Sequence, residues 1–211
     1  MKSVLVFCGA SPGRLPEYTE HARAFGRLAA ERGLEVIYGG ASVGMMGALA
    51  DGALEAGGTV IGVIPRGLLE HEIAHAGVTK LEVVETMHER KALMAKLSDA
   101  VAALPGGSGT LDELFELFTW SQLGLHDKPI GLLDVADYWE PLLRFLHHAV
   151  AERFIPEHHL ESLIIERQGA VLLDRLAKHQ PKLRDKWLDR RNDDQAVPKT
   201  RSPASPNPGR I

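Results

Sequence analysis

The feature that most constrains this chain is its alternation of short apolar runs with longer stretches of helical spacing. Ser3–Cys8, Glu35–Tyr38, Thr59–Ile64, Leu81–Val84, Ala100–Leu104, Ile130–Leu133 and Leu163–Ile165 read as strands. Between them, residues 16–32, 45–56, 87–97, 110–123, 138–153 and 170–178 carry helical patterning. Gly33 and Gly57-Gly58 close two of those helices, as glycine does just past a helix C-terminus. Strands separated by helices at this spacing pair in parallel through right-handed crossovers, with helices on both faces. The expected fold is therefore α/β: a single-domain, Rossmann-like, doubly wound parallel sheet. Its ligand belongs at the carboxyl ends of the strands.

Composition narrows the class. Of the 211 residues, 45% are hydrophobic and 25% charged, which permits a sizeable core and excludes wholesale disorder. The formal charge of −4 is unevenly placed. From Pro181 onward there are eight Lys/Arg, four Asp/Glu and five of the 12 prolines, so residues 181–211 carry +4 and residues 1–180 carry −8. The expectation is a folded domain over 1–180 and a Pro-rich, basic, partly disordered tail over 181–211. An acidic body argues against a nucleic-acid partner. A lone cysteine, Cys8, excludes an internal disulfide framework and a multi-cysteine zinc site. No apolar run reaches the ~18 residues of a membrane span, and Met1-Lys2-Ser3 leads into a strand, not a signal peptide. These readings point to the cytoplasm, with no membrane contact.

Three strand-to-helix turns are rich in small residues: Gly9-Ala10-Ser11-Pro12-Gly13, Gly39-Gly40-Ala41-Ser42-Val43-Gly44 and Gly106-Gly107-Ser108-Gly109-Thr110. In an open α/β sheet such turns share one edge, and their N–H groups and helix N-termini form an anion cradle. Neither a Gly-x-Gly-x-x-Gly fingerprint nor a Gly-Lys-Ser/Thr loop is present, so the cradle suits a small phosphate. The third turn opens a helix with Asp112, Glu113 and Glu116 in its first two turns. Acidic residues there complement the helix dipole. Glu113, one turn after Ser108-Gly109, can also point back toward the bound group. A carboxylate beside a phosphate repels it, which suits a site where positive charge develops during reaction. In Met87-His88-Glu89-Arg90-Lys91, the adjacent Arg90 and Lys91 diverge by about 100 degrees on a helix, so one faces the site while the other reaches sideways.

Three segments carry a resemblance: residues 39–47, residues 87–92, and Pro105-Gly106-Gly107-Ser108-Gly109-Thr110-Leu111-Asp112-Glu113. They resemble the LONELY GUY (LOG) family of cytokinin riboside 5′-monophosphate phosphoribohydrolases, whose members have often been labelled lysine decarboxylases. The family signature Pro-Gly-Gly-x-Gly-Thr-x-x-Glu is matched at every fixed position, and residues 120–129 resemble the following segment. The resemblance covers residues 3 to 180. It implies hydrolysis of the N-glycosidic bond of a nucleoside 5′-monophosphate, either a cytokinin riboside monophosphate or AMP, without a cofactor. It also implies a homodimer with its active site near the interface. By similarity, Arg90 and Glu113 are the catalytic pair. Gly106, Gly107, Gly109 and Thr110 hold the 5′-phosphate, with Ser108 of the same loop also at the substrate. Gly9, Ser11, Gly40, Gly44, Glu72, Met87, Lys91 and Glu116 complete the substrate site. A guanidinium does not serve as a base at neutral pH, so Arg90 orients Glu113 or stabilises charge. No lysine–aldimine site for a decarboxylase is evident.

Two rival readings come from other classes. His71-Glu72-Ile73-Ala74-His75 matches the zinc-hydrolase pattern His-Glu-x-x-His. Such five-residue matches arise by chance, and Gly67 and Gly77 leave room for only a short helix. The expected site therefore holds no metal. The other rival is a nucleotide-binding carrier without catalysis, because a cradle binds whether or not it reacts. Glu113 separates the two, since a pure phosphate binder gains nothing from a carboxylate beside its ligand.

Overall fold

Alternation along β1 (Ser3–Phe7) sets up the two layers around the sheet. Val4, Val6 and the following Cys8 pack against Phe25, Ala29, Leu49, Ala53, Leu172 and Leu176 on one face. Leu5 and Phe7 pack against Met94, Leu114, Leu117, Phe118 and Leu146 on the other. Fully burying such a side chain stabilises by about 1.5–3 kcal/mol, so a strand with both faces buried anchors the sheet.

The structure, a computed structural model, describes residues 1–69 and 74–179. After β1 come α1 (Pro16–Glu31), β2 (Glu35–Tyr38), α2 (Gly44–Glu55), β3 (Val60–Pro65), β4 (Lys80–Val84), α3 (Met87–Leu97) and β5 (Ala100–Ala103). The chain continues through α4 (Ser108–Gln122), β6 (Ile130–Leu133), α5 (Glu140–Ala151), α6 (Glu157–Glu161), β7 (Leu163–Glu166) and α7 (Gly169–Lys178). All seven strands are parallel, in the order β4-β3-β2-β1-β5-β6-β7. The first four strands run outward from β1, and β5 returns to its other side. The strand order thus reverses between β1 and β5, and the turns following those two strands open a crevice at the sheet edge. This is the doubly wound, Rossmann-like fold that the alternation implies. The expected tail over 181–211 and Glu72 lie outside the described residues.

Some boundaries differ from the sequence reading for physical reasons. Helix α4 starts at Ser108, not Thr110, so the glycine turn itself forms the first helical turn. Helix α5 starts at Glu140, not Tyr138, because Ala136 and Asp137 adopt left-handed φ of 52° and 57°. The short helix α6, entered from Pro156, spans five residues, too few to show a helical period in the sequence. Between β3 and β4 the described residues hold only a 3-10 turn, Arg66–Leu68, and an isolated bridge from Ala41 to Ala74. No described helix is long and apolar enough to cross a membrane.

Candidate active site

The three small-residue turns do lie together, and backbone hydrogen bonds join them. The Gly9 N–H donates to Pro105 O at 3.0 Å, while Gly9 O accepts from Met45 N at 3.1 Å and Met46 N at 3.3 Å. The first turn is thus a splice between the other two. The splice also occupies two amides at the N-terminus of α2, which would otherwise be available to an anion.

The N-terminus of α4 is built differently. Its N-cap is Gly107, which offers no side-chain cap to the exposed first-turn amides. Gly106 is required by packing: a Cβ there would stand 2.1 Å from Thr110 Oγ1 and 2.9 Å from Gly9 N. Gly107 and Gly109 are not, because a Cβ on either would meet nothing within 4 Å, and neither has a positive φ. Among the described residues no contact explains glycine at these two positions; such open backbone is what close approach of an external group would require.

That open space belongs to a cavity of about 470 Å³ between the turns after β1 and β5. The volume falls in the range of small-molecule sites. Gly9, Ser11, Met87, Arg90, Gly106, Gly107, Ser108, Gly109, Thr110 and Glu113 line it, all of them expected site residues. The structure also brings in Cys8, Tyr18, Met45, Met46, Leu68, Asp112 and Tyr138. Nothing local marks Tyr18, Tyr138 or the methionines as site residues. They reach the crevice only through the sheet order.

Helix α3 delivers Arg90 through a capping box. Thr86 Oγ1 accepts from Glu89 N at 3.1 Å, and the Glu89 carboxylate accepts from Thr86 N at 3.4 Å and Glu85 N at 2.8 Å. With the helix start fixed, Arg90 enters the core at 4% exposure and donates to Gly39 O at 3.0 Å. A Cβ on Gly39 would sit 2.2 Å from the Arg90 guanidinium, so that glycine makes room for the arginine. Arg90 is the cationic side chain among the described lining residues. Glu113 is half-buried in the same lining. Burial, and secondarily the Glu113 carboxylate, push the Cys8 thiol well above its ordinary range, so Cys8 stays protonated.

Lys91 diverges from Arg90 as helical geometry demands, but away from this cavity. Its ammonium lies 3.1 Å from both Asp112 and Glu116, tying α3 to α4. Burial alone would lower its pKa; the two carboxylates outweigh burial and raise it. Glu116 lines a neighbouring shallow cavity with Leu111, Phe115, Thr119 and Trp120. Gly40 and Gly44 are not among the lining residues; they hold left-handed backbone, with φ of 85° and 57°. His75, the second histidine of the His-Glu-x-x-His pattern, uses both ring nitrogens. Nδ1 accepts from Gly77 N and Nε2 faces Asp51 Oδ1, each at 3.1 Å. Among the described residues no cluster of His, Cys, Asp or Glu could hold a metal ion.

Comparison with known proteins bears on the family to which the chain belongs. Residues 46–176 match a family model described as "Possible lysine decarboxylase". A cytokinin riboside 5′-monophosphate phosphoribohydrolase of Rhodococcoides fascians is 56% identical over 173 residues, covering 81% of this chain and 87% of that protein. The phosphoribohydrolase LOG of Oryza sativa subsp. japonica is 42% identical over 180 residues, covering 85% of this chain and 74% of that one. The chain belongs to the LOG family. Solved structures support the fold. The molybdenum cofactor carrier protein of Chlamydomonas reinhardtii is 21% identical with a TM-score of 0.65, covering 84% of this chain and 99% of its own. The molybdenum cofactor binding protein of Rippkaea orientalis is 24% identical with a TM-score of 0.62, over 83% and 96%. LOG membership accords with the chemistry here rather than with the decarboxylase description. The described cavity lining contains no lysine that could form an aldimine.

Proposed function

We propose that this protein hydrolyses the N-glycosidic bond of a nucleoside 5′-monophosphate, a cytokinin riboside monophosphate or AMP, giving free base and ribose 5-phosphate. The observation that carries the reading is the pairing of a ligand-ready α4 N-terminus with a carboxylate one helical turn further on. The amides of residues 107–110 receive the 5′-phosphate, where the helix dipole favours negative charge. Glu113 then lies near C1′ of the ribose. As the C1′–N bond breaks, its electron pair leaves on the base and the sugar acquires oxocarbenium character. The Glu113 carboxylate stabilises that charge and positions a water. The water oxygen bonds to C1′, and its proton is passed on to the departing base. A guanidinium is a donor and not a general base, so Arg90 orients Glu113 or offsets charge on the phosphate or leaving group. One carboxylate is assigned, so the two-carboxylate scheme of glycosidases is not invoked.

The same reading takes the protein as a cytoplasmic homodimer with the site near the interface. Two features support dimerisation. Leu111, Phe115 and Trp120 of α4 border a shallow surface cavity, and Leu123 and Leu125 beyond it are 37% and 68% exposed. Light scattering at micromolar concentration should give twice the 23.0 kDa chain mass; a single-chain mass would remove this part of the reading.

Chromatography of released base tests the activity. The wild type is expected to release adenine from AMP, or isopentenyladenine from its riboside monophosphate, and nothing from the unphosphorylated riboside. Glu113→Gln should lower turnover on the order of 10²–10⁴-fold in a folded protein. Wild-type turnover by that variant would refute the mechanism. Tight binding without any base release by the wild type would support the carrier reading instead.

A further inference from the structure

The glycine turn after β5 is held by a contact that the mechanism above does not use. Tyr138 lines the cavity, and its hydroxyl donates to the carbonyl oxygen of Gly106 at 2.5 Å. The Gly106–Gly107 peptide unit is one plane, whose carbonyl and N–H point in opposite directions. Holding Gly106 O therefore aims the Gly107 N–H away from Tyr138. Glycines flank that plane on both sides, so little side-chain bulk opposes its rotation. A phosphate loop built on Gly-Gly needs something outside itself to hold the amide in one orientation.

Tyr138 is itself held firmly. Ala136 and Asp137 stand immediately before it, both in left-handed backbone without being glycine. Such backbone persists only where the surroundings over-determine it, and it clusters at functional sites. Here the buried Asp134 carboxylate accepts from Trp139 N at 2.9 Å. The Trp139 indole donates to Leu133 O at 3.1 Å, and Arg167 pairs with Asp137. The Tyr138 ring meets Trp139 and Tyr18 edge-on, with centroids 5.1 Å and 5.8 Å apart. The strained turn between β6 and α5 thus sets one aromatic hydroxyl against one carbonyl of the glycine loop.

We propose that Tyr138 is a positioning residue for the phosphate subsite, its hydroxyl fixing the Gly106–Gly107 peptide so that the Gly107 N–H faces the phosphate. The proposal rests on the phosphoribohydrolase reading for its substrate but not for its test. Tyr138→Phe keeps the ring and removes the hydroxyl. With AMP or isopentenyladenine riboside monophosphate, whichever the wild type cleaves, its KM should rise about five- to tenfold, the loss expected for one hydrogen bond. The kcat should stay within about twofold, because the phosphate is held alike in ground and transition states. The inhibition constant of inorganic phosphate should rise in parallel with KM. Tyr138→Leu should add a lower Tm, since it also loses the ring contacts. Unchanged KM and phosphate inhibition in Tyr138→Phe would overturn the proposal, whatever happened to Tm. Calorimetric titration with inorganic phosphate makes the same comparison without turnover. If the wild type released no base, the hydrolase reading would fail alone, and weaker phosphate binding by Tyr138→Phe would still support the role of Tyr138.

Discussion

The starts of α2 and α4 resemble each other in sequence and differ in what their glycines do. Both follow a strand at the same sheet edge, and both combine paired glycines with a third glycine further on. At α2 the glycines answer to the protein itself. Gly39 makes room for Arg90, and Gly40 and Gly44 hold left-handed backbone. A Cβ on Gly44 would meet Ala10 O at 2.2 Å, and the amides of Met45 and Met46 are already bound to Gly9 O. At α4 only Gly106 is fixed by packing, while Gly107 and Gly109 face open space. Similar glycine-rich sequence therefore serves a closed structural turn in one place and an open turn, the proposed phosphate subsite, in the other. What separates them is whether the missing side chain would strike the protein.

Substitution should divide the two turns cleanly. The largest effect is expected for Gly109→Ala, which places a methyl in the proposed phosphate subsite. Loss of charge-assisted contacts should raise KM about 10- to 100-fold. The fold should be unharmed or even stabilised, by about 0.4–1 kcal/mol, because alanine suits the helical position better than glycine. Steady-state kinetics and a thermal melt read both quantities on one sample. Gly44→Ala should do the reverse. Its strained φ alone costs about 1–3 kcal/mol, and the clash adds to it, so Tm should fall by several degrees. An unchanged Tm in Gly44→Ala, or unchanged KM in Gly109→Ala, would break the distinction.

A smaller effect is expected at Cys8, where the two turns meet. Its thiol pKa is raised by burial first and by Glu113 second. The unfolded thiol ionises near its ordinary value, about 8.5, while the native thiol does not. The unfolded state then binds fewer protons, so this contribution is fully present below about pH 8.5 and declines as pH rises further. Denaturant melts from pH 7 to 10 should show the decline, and Cys8→Ser should flatten it. Native Cys8 should also resist iodoacetamide at pH 8.5 and react once unfolded; rapid native alkylation would contradict its burial.

Much of the fold was legible because apolar runs and helical periods are local signals. Glu113 was legible for the same reason, one turn into a helix opened by glycine. The divergence of Arg90 and Lys91 was legible too, although not that Lys91 would bind Asp112 and Glu116 on α4. What the sequence hid depends on tertiary neighbours. The splice through Gly9 needs β1 to lie beside β5, and Tyr138 reaches Gly106 only because β6 follows β5 in the sheet. The late start of α5 was hidden because alanine carries no mark of left-handed backbone and aspartate only a weak one. The acidic start of α4 set the third turn apart in the sequence, but not which glycines of either turn face open space, because sequence records an absent side chain but not what occupies its space.

The central claim is that the α4 turn, and not the α2 turn, receives the phosphate. Amide NMR of the ¹⁵N-labelled protein titrated with ribose 5-phosphate tests it most directly. The account predicts saturable shifts at the N–H groups of Gly107, Ser108, Gly109 and Thr110, with Met45 and Met46 essentially unmoved. Shifts confined to Met45 and Met46, or no shifts at the α4 turn at saturating ligand, would contradict it.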